Sequence, residues 1–123
     1  MILVDTSVWL EHLRSANAIL GGLLGDGEVL GHPFVLGELA LGNLRQRHDI
    51  VRISQRLPQA TSASHGEVLR FIDREVLFGR GIGYVDAHLL AATRLTAGSK
   101  LWTRDRRLHA VAAQLGLAAT LSH

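Results

Sequence analysis

The most constraining feature of this sequence is the alternation of short apolar runs with helix-forming segments, with no hairpin signal between them. Consecutive strands without hairpins must be joined by crossovers, and such crossovers produce a parallel sheet covered by helices. We therefore expect one α/β domain over residues 1–123, a three-layer α/β/α sandwich with a mostly parallel sheet of four or five strands. The predicted strands are residues 1–4, 29–30, 100–103 and 117–121.

Capping residues and glycines predict where the helices lie between these strands. Pro33 is typical of a first helical turn, and Ser64 with Glu67 has the spacing of a capping box. Gly98 and Gly116 follow apolar periodic segments, as glycines at helix ends do. The predicted helices begin after residue 5 and span about 17–24, 33–41, 44–57, a segment from 65, 84–97 and 106–115.

Composition excludes several classes of protein. Hydrophobic residues make up 47% of the chain and charged residues 20%, which is an ordinary globular balance. The absence of cysteine excludes disulfides, iron–sulfur clusters and thiolate zinc sites. The N-terminus lacks a basic region and no apolar stretch approaches the roughly 18 residues of a membrane span, so we expect a cytoplasmic location without a membrane.

Four carboxylates occupy positions where structure alone does not require them. Asp5 and Asp105 each follow a predicted strand, at the end where open parallel sheets place their sites. Glu38 and Asp86 have apolar residues or glycine at helical offsets of three and four. The alternatives remain open: the first two also suit helix N-caps, and the other two also suit the edge of an apolar face.

The topology brings these acids toward one edge of the sheet. Carboxylates that lie so close repel one another unless a cation neutralises them. No Lys lies near them in the sequence, and only flanking Arg residues or a metal ion could do so. Oxygen ligands select a hard ion, so Mg²⁺ or Mn²⁺ is expected rather than zinc or copper.

Four motifs together resemble those of PIN-domain ribonucleases, and among these the VapC-type toxins of bacterial toxin–antitoxin pairs. The resemblance covers nearly the whole chain and rests on Ile2-Leu3-Val4-Asp5-Thr6-Ser7-Val8-Trp9, Glu38, Gly83-Tyr84-Val85-Asp86-Ala87-His88 and Leu101-Trp102-Thr103-Arg104-Asp105. It implies a PIN-like (Rossmann-like) fold whose acids hold Mg²⁺ or Mn²⁺ and cleave RNA. By motif, the acids are Asp5, Glu38, Asp86 and Asp105, supported by the hydroxyls of Thr6 and Thr103.

One position departs from the family pattern. Many relatives carry a further Asp or Asn two residues after the fourth acid, where this chain has Arg107. The number of metal ions, one or two, therefore stays open at this point. Arg107 is instead a candidate for contact with a phosphate.

Arginine dominates the cations of this chain, with twelve Arg and one Lys. The four acids aside, thirteen basic residues face seven acidic ones, so the rest of the molecule has a net charge of +6. An acidic site in a basic surface suits a polyanionic substrate. Candidate RNA contacts are Arg80, Arg104, Arg106 and Arg107, each of which also suits ordinary solvated surface.

We expect an endoribonuclease toxin with an RNA substrate and a cognate antitoxin, and the resemblance implies a homodimer. A housekeeping PIN nuclease has the same chemistry and remains an alternative. The alternative from a different class is a receiver-like, phosphate-accepting signalling domain, but it needs paired acids after the first strand and a Lys after the last, and this chain has neither. A dehalogenase-like phosphatase needs an Asp where this chain has Ser7. The glycine loop at 79–83 lacks the Lys-Ser/Thr of a phosphate-binding P-loop. Trp9, Trp102 and His88 are expected to be structural.

Overall fold

A computed structural model of the chain describes residues 1–121, so residues 122 and 123 of the predicted domain lie outside the described part. Three strands form one parallel sheet in the order β2-β1-β3. They are β1 (Ile2–Val4), β2 (Val29–Leu30) and β3 (Lys100–Trp102). The helices in residues 1–121 are α1 (Thr6–Arg14), α2 (Ala18–Gly25), α3 (Pro33–Leu41), α4 (Arg47–Arg56), α5 (His65–Arg74), α6 (Tyr84–Leu95) and α7 (Arg106–Gln114).

The parallel α/β fold class is confirmed, but the expected count of four or five strands is wrong. Two further segments touch the sheet edges through single parallel bridges, Gly31 with Gln59 and Leu101 with Ala118. The predicted strand at 117–121 is thus reduced to one bridge, because only the bonds flanking Ala118 join it to Leu101. The described sheet therefore has three strands and two edge bridges.

The core is built around the sheet and helix α6, with contributions from the other helices. Leu3 and Val4 of β1 and Leu101 of β3 are fully buried, as strands covered on both faces should be. Helix α6 packs against β3 and is buried continuously from residue 87 to 93. Trp9 and Trp102 are 1% and 3% exposed, which confirms that both belong to the core.

Local signals place the helix ends as the sequence predicts in most cases. Pro33 opens α3, and Ser64 and Glu67 form both hydrogen bonds of a capping box at α5. Gly98 and Gly116 have φ angles of 76° and 72°, which glycine adopts most readily. Helix α6 ends at Leu95 rather than at residue 97, since Thr96 takes an extended conformation. No helix in residues 1–121 has the length and apolar character needed to cross a membrane.

Candidate active site

The strand order creates a crevice at the carboxyl ends of β1 and β3. From β1 the chain passes to β2 on one side and later returns to β3 on the other, so the switch point lies between β1 and β3. Open parallel sheets bind ligands at such points. Asp5 follows β1 and Asp105 follows β3 by three residues, and the Asp5 N–H bonds to the Trp102 carbonyl at 2.9 Å. Both acids therefore lie at this crevice.

Asp5 is buried and held by two hydroxyl groups. Its Oδ2 accepts hydrogen bonds from Ser7 Oγ at 2.6 Å and from Thr103 Oγ1 at 2.8 Å. Although Asp5 is the N-cap residue of α1, its side chain makes no capping bond. The carboxylate is therefore fixed by side chains from two different strand ends rather than by the helix it precedes.

Ser7 belongs to this arrangement although its role in the site is not predicted from the sequence. Its Oγ donates to Asp5, accepts the Arg104 backbone N–H at 3.0 Å and lies 3.4 Å from Thr103 Oγ1. Ser7 thereby ties α1 to the loop after β3. Ser7 lies two residues after Asp5, in the first turn of α1. This position next to the end of β1 is the signal that could have identified Ser7 as a site residue.

Glu38 reaches the site through Thr6 rather than through a buried stripe. Thr6 Oγ1 donates to Glu38 Oε1 at 2.6 Å, which links α1 to α3. The interpretation that Glu38 lies on a core-facing stripe is wrong, and the alternative that it lies at the edge and reaches water is correct. The reason is that Leu41, on the same side of the helix, is 89% exposed.

Asp86 is the half-buried acid of the group. It lies in the first turn of α6, where its Oδ2 accepts the Gly83 N–H at 2.9 Å. Burial raises the pKa of Asp86, and the charges of Asp5, Asp105 and Glu38 raise it further, against the lowering effect of the Gly83 amide. The structure therefore brings Asp86 within electrostatic range of all three other acids.

Asp105 is exposed and caps α7. Its Oδ1 accepts the Leu108 N–H at 3.0 Å. The alternative that Asp105 serves as a helix N-cap is therefore correct for one of its two carboxylate oxygens. Its own N–H donates to Thr103 Oγ1 at 3.0 Å. Thr103 thus contacts Asp5 through its hydroxyl hydrogen and Asp105 through its lone pair.

The four acids share a pattern of hydrogen bonding. Within residues 1–121, each has one oxygen engaged as described above, while its second oxygen accepts no hydrogen bond and no Arg, Lys or His forms an ion pair with it. In the same range, no three His, Asp or Glu side chains are close enough to hold a metal ion as they stand. The site is therefore a loose group of uncompensated carboxylates.

The four candidate arginines differ in their surroundings. Arg104 forms a two-pronged pair with Glu11, at 2.6 and 2.7 Å, and this hydrogen bonding raises the pKa of Arg104. Arg107 packs on Gly81, whose φ is 79°, so closely that a Cβ there would lie 2.8 Å from Nη1. Arg106 is exposed and Arg80 is half-buried. The side chain of Arg107 therefore extends from the first turn of α7 to the 79–83 loop.

Comparison with known proteins relates this chain to a family of nucleases and to a ribonuclease. A model of the PIN domain matches residues 2–114 of the chain. The chain is 52% identical over 118 residues to Ribonuclease VapC32 of Mycobacterium tuberculosis, in strains CDC 1551 / Oshkosh and ATCC 25618 / H37Rv alike. The aligned part covers 96% of this chain and 95% of the relative. The chain belongs to the PIN-domain family.

Proposed function

We propose that this chain is an endoribonuclease that acts as the toxin of a type II toxin–antitoxin pair. The 52% identity to a protein named as a ribonuclease, over nearly its full length, supports this activity. The observation that carries the proposal is that Asp5, Glu38 and Asp105 each raise the pKa of Asp86, while no Arg, Lys or His within residues 1–121 forms an ion pair with any of the four. Helix capping accounts for one oxygen each of Asp86 and Asp105. It does not account for four unneutralised carboxylates, whose mutual repulsion destabilises the fold that contains them.

A divalent cation fits these residues by their chemistry. Each acid keeps one oxygen without a hydrogen bond within residues 1–121, and all the ligand atoms are hard oxygen donors. Mg²⁺ binds through one or two carboxylates and retains several waters, so the four acids need not all touch the ion. We propose Mg²⁺ or Mn²⁺ as the cofactor.

Within the site, the four acids have different proposed tasks. Asp5, Asp86 and Asp105 hold the ion directly or through water, while Glu38 completes the shell or orients the attacking water. Thr103 and Ser7 fix the Asp5 carboxylate, and Thr6 fixes Glu38. The hydroxyls therefore act as positioning residues, because they touch the acids rather than the RNA.

The ion, when bound, supplies an activated water and stabilises charge on the leaving oxygen. Water would attack the phosphorus in place of the RNA 2′-hydroxyl, and the P–O3′ bond would break, so cleavage leaves a 3′-hydroxyl and a 5′-phosphate. The acids orient this attack in line with the leaving oxygen. The pattern of product ends thus separates this chemistry from cleavage by the 2′-hydroxyl, which leaves a 5′-hydroxyl.

Arginines at the edge of the site are proposed to bind the RNA backbone. Arg107 and Arg80 are placed around the 79–83 loop, and Arg106 is exposed in the first turn of α7. Arg104 reaches a phosphate only after it leaves Glu11, since both prongs of its guanidinium are engaged there. Arg80, Arg106 and Arg107 are therefore the stronger candidates for binding the RNA backbone.

The proposed partners are the RNA substrate, a cognate antitoxin protein and a second copy of the chain. The relative's name, Ribonuclease VapC32, supports a toxin–antitoxin assignment. An inhibitor that inserts Arg or Lys among the four acids would replace the charge of the ion and block the RNA at once. The cytoplasm, where toxin and RNA meet, is the proposed location.

Cleavage of labelled RNA with Mn²⁺, with Mg²⁺ and with EDTA tests this function. We expect cleavage only with the metals, and its loss in Asp86→Asn, whose side chain still accepts the Gly83 N–H. Asp73→Asn, which changes an exposed acid on α5, is the matched control and should remain active. Metal-independent cleavage contradicts the proposal. Cleavage without growth inhibition, and without a co-purifying partner on co-expression with the adjacent gene, favours a housekeeping nuclease.

A further inference from the structure

Five aromatic rings contact one another in an unbroken chain. His32 contacts Phe34 edge-to-face with ring centroids 5.4 Å apart, and Phe34 contacts His88 at 4.6 Å. His88 in turn contacts Tyr84 at 4.6 Å, and Tyr84 contacts His65 at 5.6 Å. The rings join the starts of α3, α5 and α6, and the proposed mechanism uses none of them.

The exposed aromatic residues of the chain are all found on this side of the molecule. Three of the six Phe, Tyr and Trp residues are buried, namely Trp9, Phe71 and Trp102. The other three are exposed: Phe34 by 38%, Tyr84 by 43% and Phe78 by 65%. Phe78 and Tyr84 line the same cavity, of about 220 Å³. We call Phe34, Tyr84 and Phe78 the aromatic surface.

The aromatic surface adjoins the acid Glu38 through helix α3. Phe34 precedes Glu38 by four residues in α3, so the two side chains lie on one face of that helix. Tyr84 shares the first turn of α6 with Asp86 but points to a different side of that helix, where His88 joins it to Phe34. Arg80 lies in the loop that joins Phe78 to Tyr84. Phe34 therefore lies on the Glu38 side of α3, and His88 links its ring to that of Tyr84.

Ring contacts and one hydrogen bond hold Phe34 and Tyr84 in place. The edge of His88 separates Phe34 from Tyr84, and His88 itself is buried. The Tyr84 hydroxyl is hydrogen-bonded to His65 Nδ1. Rings held in place lose little conformational freedom on binding, which favours stacking with a flat ligand.

We propose that the aromatic surface stacks unpaired nucleobases of the RNA strand whose backbone crosses the four acids. The proposal rests on the proposed ribonuclease function and adds a base-stacking subsite to it. Every base has a π face, so stacking is tolerant of sequence, whereas bases in a duplex are already stacked on one another. The proposed subsite therefore accepts bases that are not paired in a duplex.

Binding of short RNAs without metal tests this proposal separately from cleavage. The probes are a fluorescein-labelled 12-nucleotide unpaired RNA and the same RNA with abasic sites at its central positions, both in EDTA. We expect Phe34→Leu and Tyr84→Leu each to weaken binding of the first probe about tenfold, or about 1.4 kcal/mol, and to leave the abasic probe nearly unaffected.

Two further variants sharpen the result. Tyr84→Phe keeps the ring but loses the bond to His65, so it should bind the base-containing probe more tightly than Tyr84→Leu does. Leu95→Ala is the control for exposed apolar area, because Leu95 is 45% exposed at the opposite end of α6, roughly 16 Å along the helix. It should bind both probes as the unmodified protein does.

Three results would overturn the proposal: unchanged affinity in the leucine variants, equal losses with both probes, or no RNA binding by the unmodified protein. A dimer that Tyr84→Leu dissociates without altering RNA affinity would assign the surface to a second copy of the chain instead. Base-dependent binding without any metal-dependent cleavage would keep the aromatic surface and refute the proposed nuclease function. The two proposals thus fail in different ways.

Discussion

The Thr103 hydroxyl donates a 2.8 Å hydrogen bond to Asp5 Oδ2, across 98 residues of sequence. The same oxygen of Thr103 accepts the Asp105 backbone N–H at 3.0 Å. Thr103 is 6% exposed, so neither bond is readily replaced by water. One side chain therefore sets the positions of two acids that belong to different strand ends.

Replacing Thr103 by Val should destabilise the protein and weaken its activity together. Valine has nearly the same shape but leaves the Asp105 N–H and one contact of Asp5 unsatisfied, at a cost of about 1–3 kcal/mol. Urea unfolding measures the stability, and cleavage with Mn²⁺ measures the activity. Thr103→Ser restores the hydroxyl and should recover most of both. If Val and Ser behave alike, the hydroxyl does not position the acids.

Neutralising Asp86 should stabilise the metal-free protein at neutral pH. The pKa of Asp86 is raised above its usual value of 3.8 by burial and by the other three acids, so its ionised form costs folding free energy. Asp86→Asn should therefore have a higher melting temperature than the unmodified protein in EDTA at pH 7. The gain should shrink as the pH falls through the raised pKa toward 3.8. A lower melting temperature at pH 7 would contradict this electrostatic account.

His32 should make stability depend on pH in the opposite sense. Burial lowers the pKa of His32 from 6.5 to about 4, with a smaller contribution from His88, and its Nδ1 accepts the Phe34 N–H as the N-cap of α3. Below pH 6.5 the unfolded chain binds a proton at His32, whereas the folded chain binds that proton only when the pH falls to about 4. Stability is therefore lost as the pH falls through this window, by about 1–2 kcal/mol between pH 7 and pH 5.

Urea unfolding of His32→Asn at pH 5, 6 and 7 checks this expectation. Asn still accepts the Phe34 N–H at the N-cap, so the variant removes the titration while it keeps the cap. Its stability should vary less between pH 7 and 5 than that of the unmodified protein. His109→Asn, which changes an exposed histidine on α7, should leave the pH dependence as it is. Equal slopes in all three proteins would remove His32 from the account.

Arg107 should contribute a salt-sensitive contact with RNA. A protein that loses one phosphate contact on a single strand should show a slope of log affinity against log salt that is smaller by about 0.7. Arg107→Gln is expected to show this change and a similar loss for RNAs of any sequence. Arg56→Gln, which changes an exposed arginine at the end of α4, is the control. An unchanged slope in Arg107→Gln would place the phosphate path elsewhere.

Local signals were sufficient to predict most of the fold. Pro33, the Ser64–Glu67 capping box and the glycines at 98 and 116 act within a few residues, and the structure has helix boundaries near each of them. The last predicted strand depends instead on pairing with a distant partner. Residues 117–121 meet β3 only at Leu101, and nothing within the segment reveals how short that contact is.

The candidate site divides in the same way. Asp5 and Asp105 are marked by the strands they follow, so their shared position follows from topology. The exposure of Glu38 depends on which side of α3 packs against α1 and α4. The apolar residues at helical offsets from Glu38 suggested that its side was the packed one, and it is not. Ser7 contacts Thr103 across 96 residues, and the ring chain joins three helices. Contacts of that kind arise from packing and leave no local pattern.

The claim that the four acids bind a catalytic cation is tested most directly by titrating Mn²⁺ into the metal-free protein and counting bound ions by electron paramagnetic resonance. The unmodified protein should bind one or two Mn²⁺ ions per chain, and its melting temperature should rise as it does so, since an ion at 100 times its dissociation constant adds about 2.7 kcal/mol. Asp86→Asn should bind Mn²⁺ much more weakly, and Asp73→Asn should bind it normally. Equal Mn²⁺ binding by Asp86→Asn and the unmodified protein, or no binding by either, would contradict the claim.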